Sequence, residues 1–158
     1  MKRTFADIIY DFKFVNTKQA VLRSFEKTEE VLLDAVAEQM SKGMTGDDKP
    51  IVSPYTGNAY YAPSTVRYKK ERGVGLGAVT DRITLFQTGR HYKGLYTRIS
   101  GNAVVIGSNV QYDDNGFKGG FAEFNTNLYQ PGTQAGQDYI NEHLQPTFYT
   151  EMINQLNK

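Results

Sequence analysis

The sequence predicts an α+β fold in which a long N-terminal helix and a C-terminal helix pack on a small antiparallel sheet, with long loops or arms between them. Apolar residues recur at helical spacing over residues 16–43 and again over 138–157. Two short runs rich in β-branched or alternating residues flank Gly101-Asn102. At 158 residues the chain has the length of one domain, so we expect a single domain spanning 1–158.

Composition excludes several classes of protein. The formal net charge of +1 gives no electrostatic reason to expect nucleic acid or an anionic membrane as a partner. The chain has no cysteine, so it has no disulfide and no thiolate ligand, which fits a reducing cytosol. No run approaches 18 apolar residues, and the first ten residues are not typical of a signal peptide, so we expect no membrane association.

Residues 5–14 alternate loosely between apolar and polar, which is compatible with a short strand or with a docked arm.

The first helix has capping signals at both ends. Asn16 with Gln19 three residues later resembles a capping box, and Gly43 is the expected stop. The apolar face between them is formed by Val21, Leu22, Phe25, Leu32, Leu33, Val36 and Met40.

Residues 44–77 show no regular period. Three prolines and five glycines interrupt the segment, and a loop this long is uncommon inside a compact domain. We interpret it as an arm that packs on a neighbouring subunit, with one or two helical turns over 66–72. Gly73-Val74-Gly75-Leu76-Gly77 lacks the lysine and hydroxyl residue of a phosphate-binding loop, so we expect a flexible linker.

The sheet is expected within residues 83–124. A helical turn follows Thr88-Gly89-Arg90, with the Thr88 hydroxyl as the predicted cap. Leu95 to Ser100 forms the first strand, Gly101-Asn102 the hairpin turn, and the run from Ala103 to Gly107 a buried strand. Residues 121–124 form another candidate short strand.

The chain closes with a loop over 125–136 and a helix over 138–157. We interpret Gly116 to Gly136 as a second arm, and we expect both arms to become ordered only on assembly. Pro146 is expected to break or kink the helix, so that its main part starts at Pro146 or Thr147. Asp113-Asp114-Asn115-Gly116 is typical of a turn, because it lacks the twelfth-position ligand of a calcium loop.

The residue types favour no catalytic or metal site and no cofactor. The only histidines are His91 and His143, and neither has carboxylates at the spacing of a metal site. No Gly-x-Ser-x-Gly motif is present. A pair of carboxylates for hydrolysis stays open, because their separation is invisible in a sequence.

Two sets of residues are candidates for a contact surface. The densest basic cluster, Arg67, Lys69, Lys70 and Arg72, surrounds Tyr68 and is either a phosphate contact or a solvated, subunit-facing surface. The chain has 11 tyrosines, 9 phenylalanines and no tryptophan, a composition that suits protein–protein contacts or half-buried strand faces. The tyrosines that we expect at an oligomer interface are Tyr55, Tyr60, Tyr61, Tyr68 and Tyr129.

A succession of short motifs over residues 60–112 resembles the virion-morphogenesis proteins of Mu-like and related tailed phages, which are small tail-completion and neck proteins. In order, the motifs are Tyr61-Ala62-Pro63-Ser64-Thr65, Lys69-Lys70, Leu85-Phe86-Gln87-Thr88-Gly89-Arg90, Thr97-Arg98-Ile99, Val104-Val105-Ile106-Gly107-Ser108 and Tyr112.

The resemblance implies a structural subunit and not an enzyme. Copies would form a homo-oligomeric ring at the head–tail junction of the virion, after assembly in the host cytoplasm. Their partners would be the adjacent portal or connector and tail-tube proteins, with DNA only passing through the ring. An alternative is a small nucleic-acid-binding accessory domain that uses the basic cluster, and a small hydrolase is a third.

Overall fold

A computed structural model describes residues 15–86, 88–101, 103–110 and 127–157. The α+β class is confirmed. The elements, in order, are α1 (Thr17–Ser41), α2 (Pro63–Arg72), a 3-10 turn (Gly75–Ala78), α3 (Arg90–Lys93), β1 (Leu95–Ser100), β2 (Ala103–Ser108), α4 (Thr133–Tyr139), a π turn (Ile140–Leu144) and α5 (Gln145–Leu156). None of the helices formed by these residues is long and apolar enough to span a bilayer.

The chain separates into two compact units. The first combines Met1–Val31 with Gln137–Lys158, and the second is Leu32–Gly136. Residues 17–31 of α1 therefore belong to the first unit and residues 32–41 to the second. The expectation of a single domain stays a prediction.

The start of α1 confirms half of the predicted capping box. The side-chain oxygen of Asn16 accepts a hydrogen bond from the amide of Gln19 at 2.9 Å. The amide of Asn16 itself donates to the side chain of Gln155 at 2.8 Å, and not to Gln19. A residue near the end of α5 thus replaces the local partner of the box.

In the first unit, α1 contacts Tyr139 and α5. The hydroxyls of Thr28 and Tyr139 are 2.8 Å apart and buried, and the ammonium of Lys27 contacts the buried carboxylate of Glu151 at 2.5 Å. Together with the Asn16–Gln155 bond, these contacts pair rising positions of α1 with falling positions of the C-terminal helices. They join helical segments that are distant in sequence.

Pro146 lies in the first turn of α5, as its sequence position predicted. The chain does not leave the helical conformation before it. Instead, residues 140–144 form a π turn, in which the amide of Gln145 donates to the carbonyl of Ile140. A π turn absorbs one additional residue, and so α4 and α5 continue into each other despite the proline.

The core of the second unit corrects the interpretation of residues 44–77 as an arm. Ile51 is fully buried in a cluster with other apolar side chains, and Thr45 is also fully buried. The members of this core are Met40, Ile51, Ile83, Leu85 and Leu128, with Tyr61, Tyr92, Leu95 and Tyr129 packed around it. The segment showed no period because its buried residues, Thr45, Ile51, Lys69 and Gly77, come singly and at irregular spacing.

Part of the second predicted arm also packs on the body. Leu128 is buried, and Gln39 holds the segment after it with two hydrogen bonds. Its side-chain amide donates to the carbonyl of Gln130 at 2.9 Å, and its side-chain oxygen accepts from the amide of Gly132 at 2.5 Å. Residues 111–126, including the candidate turn and strand there, lie outside the described residues, as do residues 1–14.

Two local predictions need correction. Helix α2 has 10 residues and begins at Pro63, which suits a first helical turn, whereas only 66–72 was expected to be helical. At α3 the N-cap is Gly89, with a φ of 79°, and no side chain caps the helix. The left-handed backbone of glycine makes the corner, and the predicted Thr88 cap does not form.

Strands β1 and β2 form the predicted two-stranded antiparallel hairpin, with Ser100 opposite Ala103 and Leu95 opposite Ser108. The expectation that β2 is a buried strand is wrong. Gly107 and Ser108 at its base are buried, but Val104 and Val105 are 44% and 37% exposed. A β-branched run indicates a strand but does not specify what covers it.

Candidate interaction surface

The expected interface tyrosines divide into two groups. Tyr55, Tyr60 and Tyr68 are exposed, whereas Tyr61 and Tyr129 are half-buried against the core of the second unit. The hydroxyl of Tyr61 accepts a hydrogen bond from the amide of Thr84 at 3.0 Å. Tyr61 and Tyr129 therefore pack partly against their own chain, and Tyr55, Tyr60 and Tyr68 are the more accessible of the five rings.

The structure removes Lys69 from the predicted basic cluster. It is only 4% exposed, and its ammonium donates to the carbonyls of Gly77 and Phe86 at 3.0 and 2.8 Å. The same group lies 4.7 Å from the centre of the Tyr61 ring. Burial lowers the pKa of Lys69. A side chain held in this way cannot reach a phosphate from solution.

The other three cations of the cluster are exposed on α2 and its end. They are Arg67, Lys70 and Arg72. The guanidinium of Arg72 lies 5.7 Å from the ring centre of Tyr68, which is a cation–π geometry. We call the exposed set Tyr60, Arg67, Tyr68, Lys70 and Arg72 the α2 face.

Exposed apolar residues adjoin the α2 face and occur again on the hairpin. Val74, directly after α2, is 85% exposed. On the hairpin, Ile99, Val104 and Val105 are all exposed, and we call these three residues the hairpin tip. The sequence analysis did not predict these exposed residues. It expected Val104 and Val105 to lie in a buried strand and Val74 to lie in a flexible linker.

The two histidines lie in different units. His91 is buried in the second unit, where its Nδ1 donates to the carbonyl of Val110 at 2.9 Å. His143 lies in the π turn of the first unit. Over the described ranges, no group of three or more histidines and carboxylates is arranged to hold a metal ion.

The surroundings of His91 are aromatic. Its ring lies 5.8 Å from that of Tyr129 and 6.4 Å from that of Tyr92. Burial raises the pKa of Tyr129 to about 12 and raises that of Tyr92 further, while it lowers the pKa of His91. All three groups are therefore held uncharged near neutral pH.

The first unit carries an apolar surface pocket of about 330 Å³. It is lined by Val21 from α1 and by residues of the π turn and α5, namely Ile140, Leu144, Gln145 and Phe148. Gln145 is its only polar lining residue among these, and the side chain of Gln145 donates to the hydroxyl of Tyr149 at 3.0 Å. The pocket suits an apolar group and offers no acid or base to a substrate.

No family model, characterised protein or solved structure matches this chain.

Proposed function

We propose that this protein is a structural subunit of a tailed-phage virion, a tail-completion or neck protein that forms a homo-oligomeric ring at the head–tail junction. In that position it would contact the portal or connector on one side and the tail tube on the other, with DNA passing through the ring. The proposal starts from the resemblance carried by the motifs between Tyr61 and Tyr112.

The observation that carries the proposal is the exposure of aromatic, arginine and apolar side chains on the second unit. The α2 face presents two tyrosines and two arginines, and the hairpin tip presents three β-branched apolar residues. Tyrosine and arginine are enriched at protein interfaces and dominate their binding energy. A ring subunit needs two different contact surfaces on one body, because each copy meets its two neighbours with different faces.

Oligomeric state tests this proposal directly. We expect purified protein at micromolar concentration to sediment as a multiple of its 17.8 kDa mass and to form closed rings in electron micrographs. Tyr60→Ser combined with Tyr68→Ser should weaken association at least about tenfold, because the pair removes two exposed rings. The matched control is the double phenylalanine variant, which keeps both rings. A wild-type protein that stays monomeric at every concentration would overturn the proposal.

A nucleic-acid-binding role is the second candidate, and the exposure of Arg67, Lys70 and Arg72 on one short helix favours it. Three phosphate contacts predict a salt dependence of duplex binding with a slope of about −2.7 on a double-logarithmic plot. Arg67→Gln should reduce that slope by about 1, while Lys18→Gln, an exposed lysine of α1, should leave it unchanged. Binding without this salt dependence would exclude the role.

A further inference from the structure

Helix α2 is attached to the rest of the second unit by a polar side chain. All of its ten residues, Pro63–Arg72, are described, and among them Lys69 alone is buried. An isolated helix shorter than about 12–15 residues is marginal in water, and most helices in proteins are stabilised by packing of an apolar face. Here the buried position is taken by a lysine. The conformation of α2 therefore depends on the contacts of Lys69 and of the residues beside the helix.

The bonds of Lys69 join α2 to the turn after it and to a later segment. Its ammonium donates to the carbonyls of Gly77 and Phe86 at 3.0 and 2.8 Å. Gly73 closes the same turn, because its amide donates to the carbonyl of Lys69 at 2.8 Å. A Cβ on Gly73 would collide with the carbonyl oxygen of Gly77. The helix and the 3-10 turn are thus folded onto each other, and we call residues 63–78 the α2 segment.

A polar attachment costs less to open than an apolar one. An apolar side chain that leaves the core loses its transfer free energy outright. When the ammonium of Lys69 leaves its two carbonyls, water replaces the lost hydrogen bonds and the ammonium regains its hydration. The core of the second unit, which includes Met40, Ile51 and Leu128, has no such compensation. Regions that bury little apolar surface open locally, at a lower free energy than global unfolding.

We propose that the α2 segment is a flap that opens while the core of the second unit stays folded, with Lys69 as its latch. Four residues of the α2 face, Arg67, Tyr68, Lys70 and Arg72, lie on this segment and keep their relative positions only while the latch is closed. A partner that binds the closed form stabilises it, so closing and assembly are coupled. This coupling rests on the proposed function, in which the α2 face contacts a neighbouring subunit.

Native-state hydrogen exchange measures the opening. The amides of Val66 and Gly73 report on the α2 segment, and the amide of Ile51 reports on the core, since each donates to a backbone carbonyl. We expect the protection factors of the two α2 amides to be at least about tenfold lower than that of the core amide. They should also depend less on urea, because local opening exposes less surface than global unfolding. Equal protection with one urea dependence would overturn the proposal.

Three substitutions separate the latch from the core. Lys69→Met should lower the protection of the two α2 amides at least about tenfold, whereas Lys70→Met, at the exposed neighbour, should leave it unchanged. Leu128→Val should lower the protection of the core amide about three- to tenfold and leave the α2 amides unchanged. Circular dichroism verifies that each variant is folded. Equal α2 protection in the two lysine variants, or a parallel loss at all three amides in the Leu128 variant, would overturn the latch.

Protein concentration tests the coupling to assembly. Exchange at the α2 amides should slow as the concentration rises through the range in which the wild type associates, because binding to the closed form lowers the population of the open form. If the wild type assembles and this exchange does not change, the coupling is wrong while the ring proposal stands. A monomeric wild type overturns both the ring and the coupling, and exchange in the monomer then decides whether the flap opens.

Discussion

The ammonium of Lys69 donates a 2.8 Å hydrogen bond to the backbone carbonyl of Phe86, 17 residues further along the chain. A second bond, to the carbonyl of Gly77, ties the 3-10 turn to the same amine. A cation in a buried place is costly unless its donors are satisfied. Here two carbonyls and the face of Tyr61 surround it. The lysine is thus a structural crosslink between α2 and the segment that follows it.

Lys69→Met should lower the free energy of unfolding by about 2 kcal/mol, because methionine keeps most of the buried volume but leaves two buried carbonyl groups without a donor. Urea denaturation measures this as a lower midpoint at constant slope. The neighbouring Lys70 is exposed, so Lys70→Met is a matched control, expected to change stability by less than about 0.5 kcal/mol. Equal effects of the two substitutions would contradict the crosslink.

Leu85 combines a buried side chain with a φ of 54°, in the left-handed region. Leu85→Ala and Leu85→Gly should both destabilise the protein by about 2–5 kcal/mol, because both remove the buried side chain. Glycine also relieves about 1–2 kcal/mol of backbone cost, so the glycine variant should be the more stable of the two. At Leu128, which is buried without a positive φ, the alanine variant should be at least as stable as the glycine variant. Thermal or chemical unfolding of the four variants measures the order of their stabilities at each position.

Stability should fall as the pH falls below about 6.5, the ordinary pKa of histidine. The folded state holds the pKa of His91 below that value, chiefly by burial and against the opposing effect of its bond to Val110. Between the folded and unfolded pKa values the unfolded chain binds more protons, so unfolding becomes easier as the pH decreases and levels off below the folded pKa. His91→Gln should flatten the stability profile in this window. An unchanged profile in the His91 variant would refute the assignment.

Gly89 and Gly57 both have positive φ angles, of 79° and 68°. A Cβ at Gly89 would lie 2.9 Å from the ring of Phe86, whereas one at Gly57 would meet no atom within 4 Å. Gly57→Ala should therefore cost about 1–2 kcal/mol for backbone strain alone. Gly89→Ala should cost more, because the Phe86 ring must also move. Comparing their unfolding midpoints tests whether the α3 corner is packed as closely as the structure indicates.

The predictable parts of the fold were those with a local signal. The apolar spacing around Val36 and the cap at Asn16 predicted α1, and Gly101-Asn102 predicted the hairpin. The parts that could not be predicted depend on long-range packing. Ile51 and Lys69 occur in stretches rich in proline, glycine or charge, and their burial is decided by partners such as Leu128 and Phe86 that lie far away in sequence. A lysine beside three other cations gives no local sign that it will be enclosed.

The sequence by itself indicated α1, the hairpin and the C-terminal helix, with the helix stop at Gly43 and the two-residue hairpin connection, because periodicity, capping and turn chemistry act over a few residues. It did not indicate that α2 begins at Pro63 or that residues 133–136, expected in a loop, are helical. Only the tertiary structure decided which side chains are accessible. It buried Lys69, half-buried Tyr61, exposed Val104 and Val105, and formed a pocket lined by Val21 and Phe148. Accessibility depends on what covers a residue, and the covering groups come from segments that no local pattern connects.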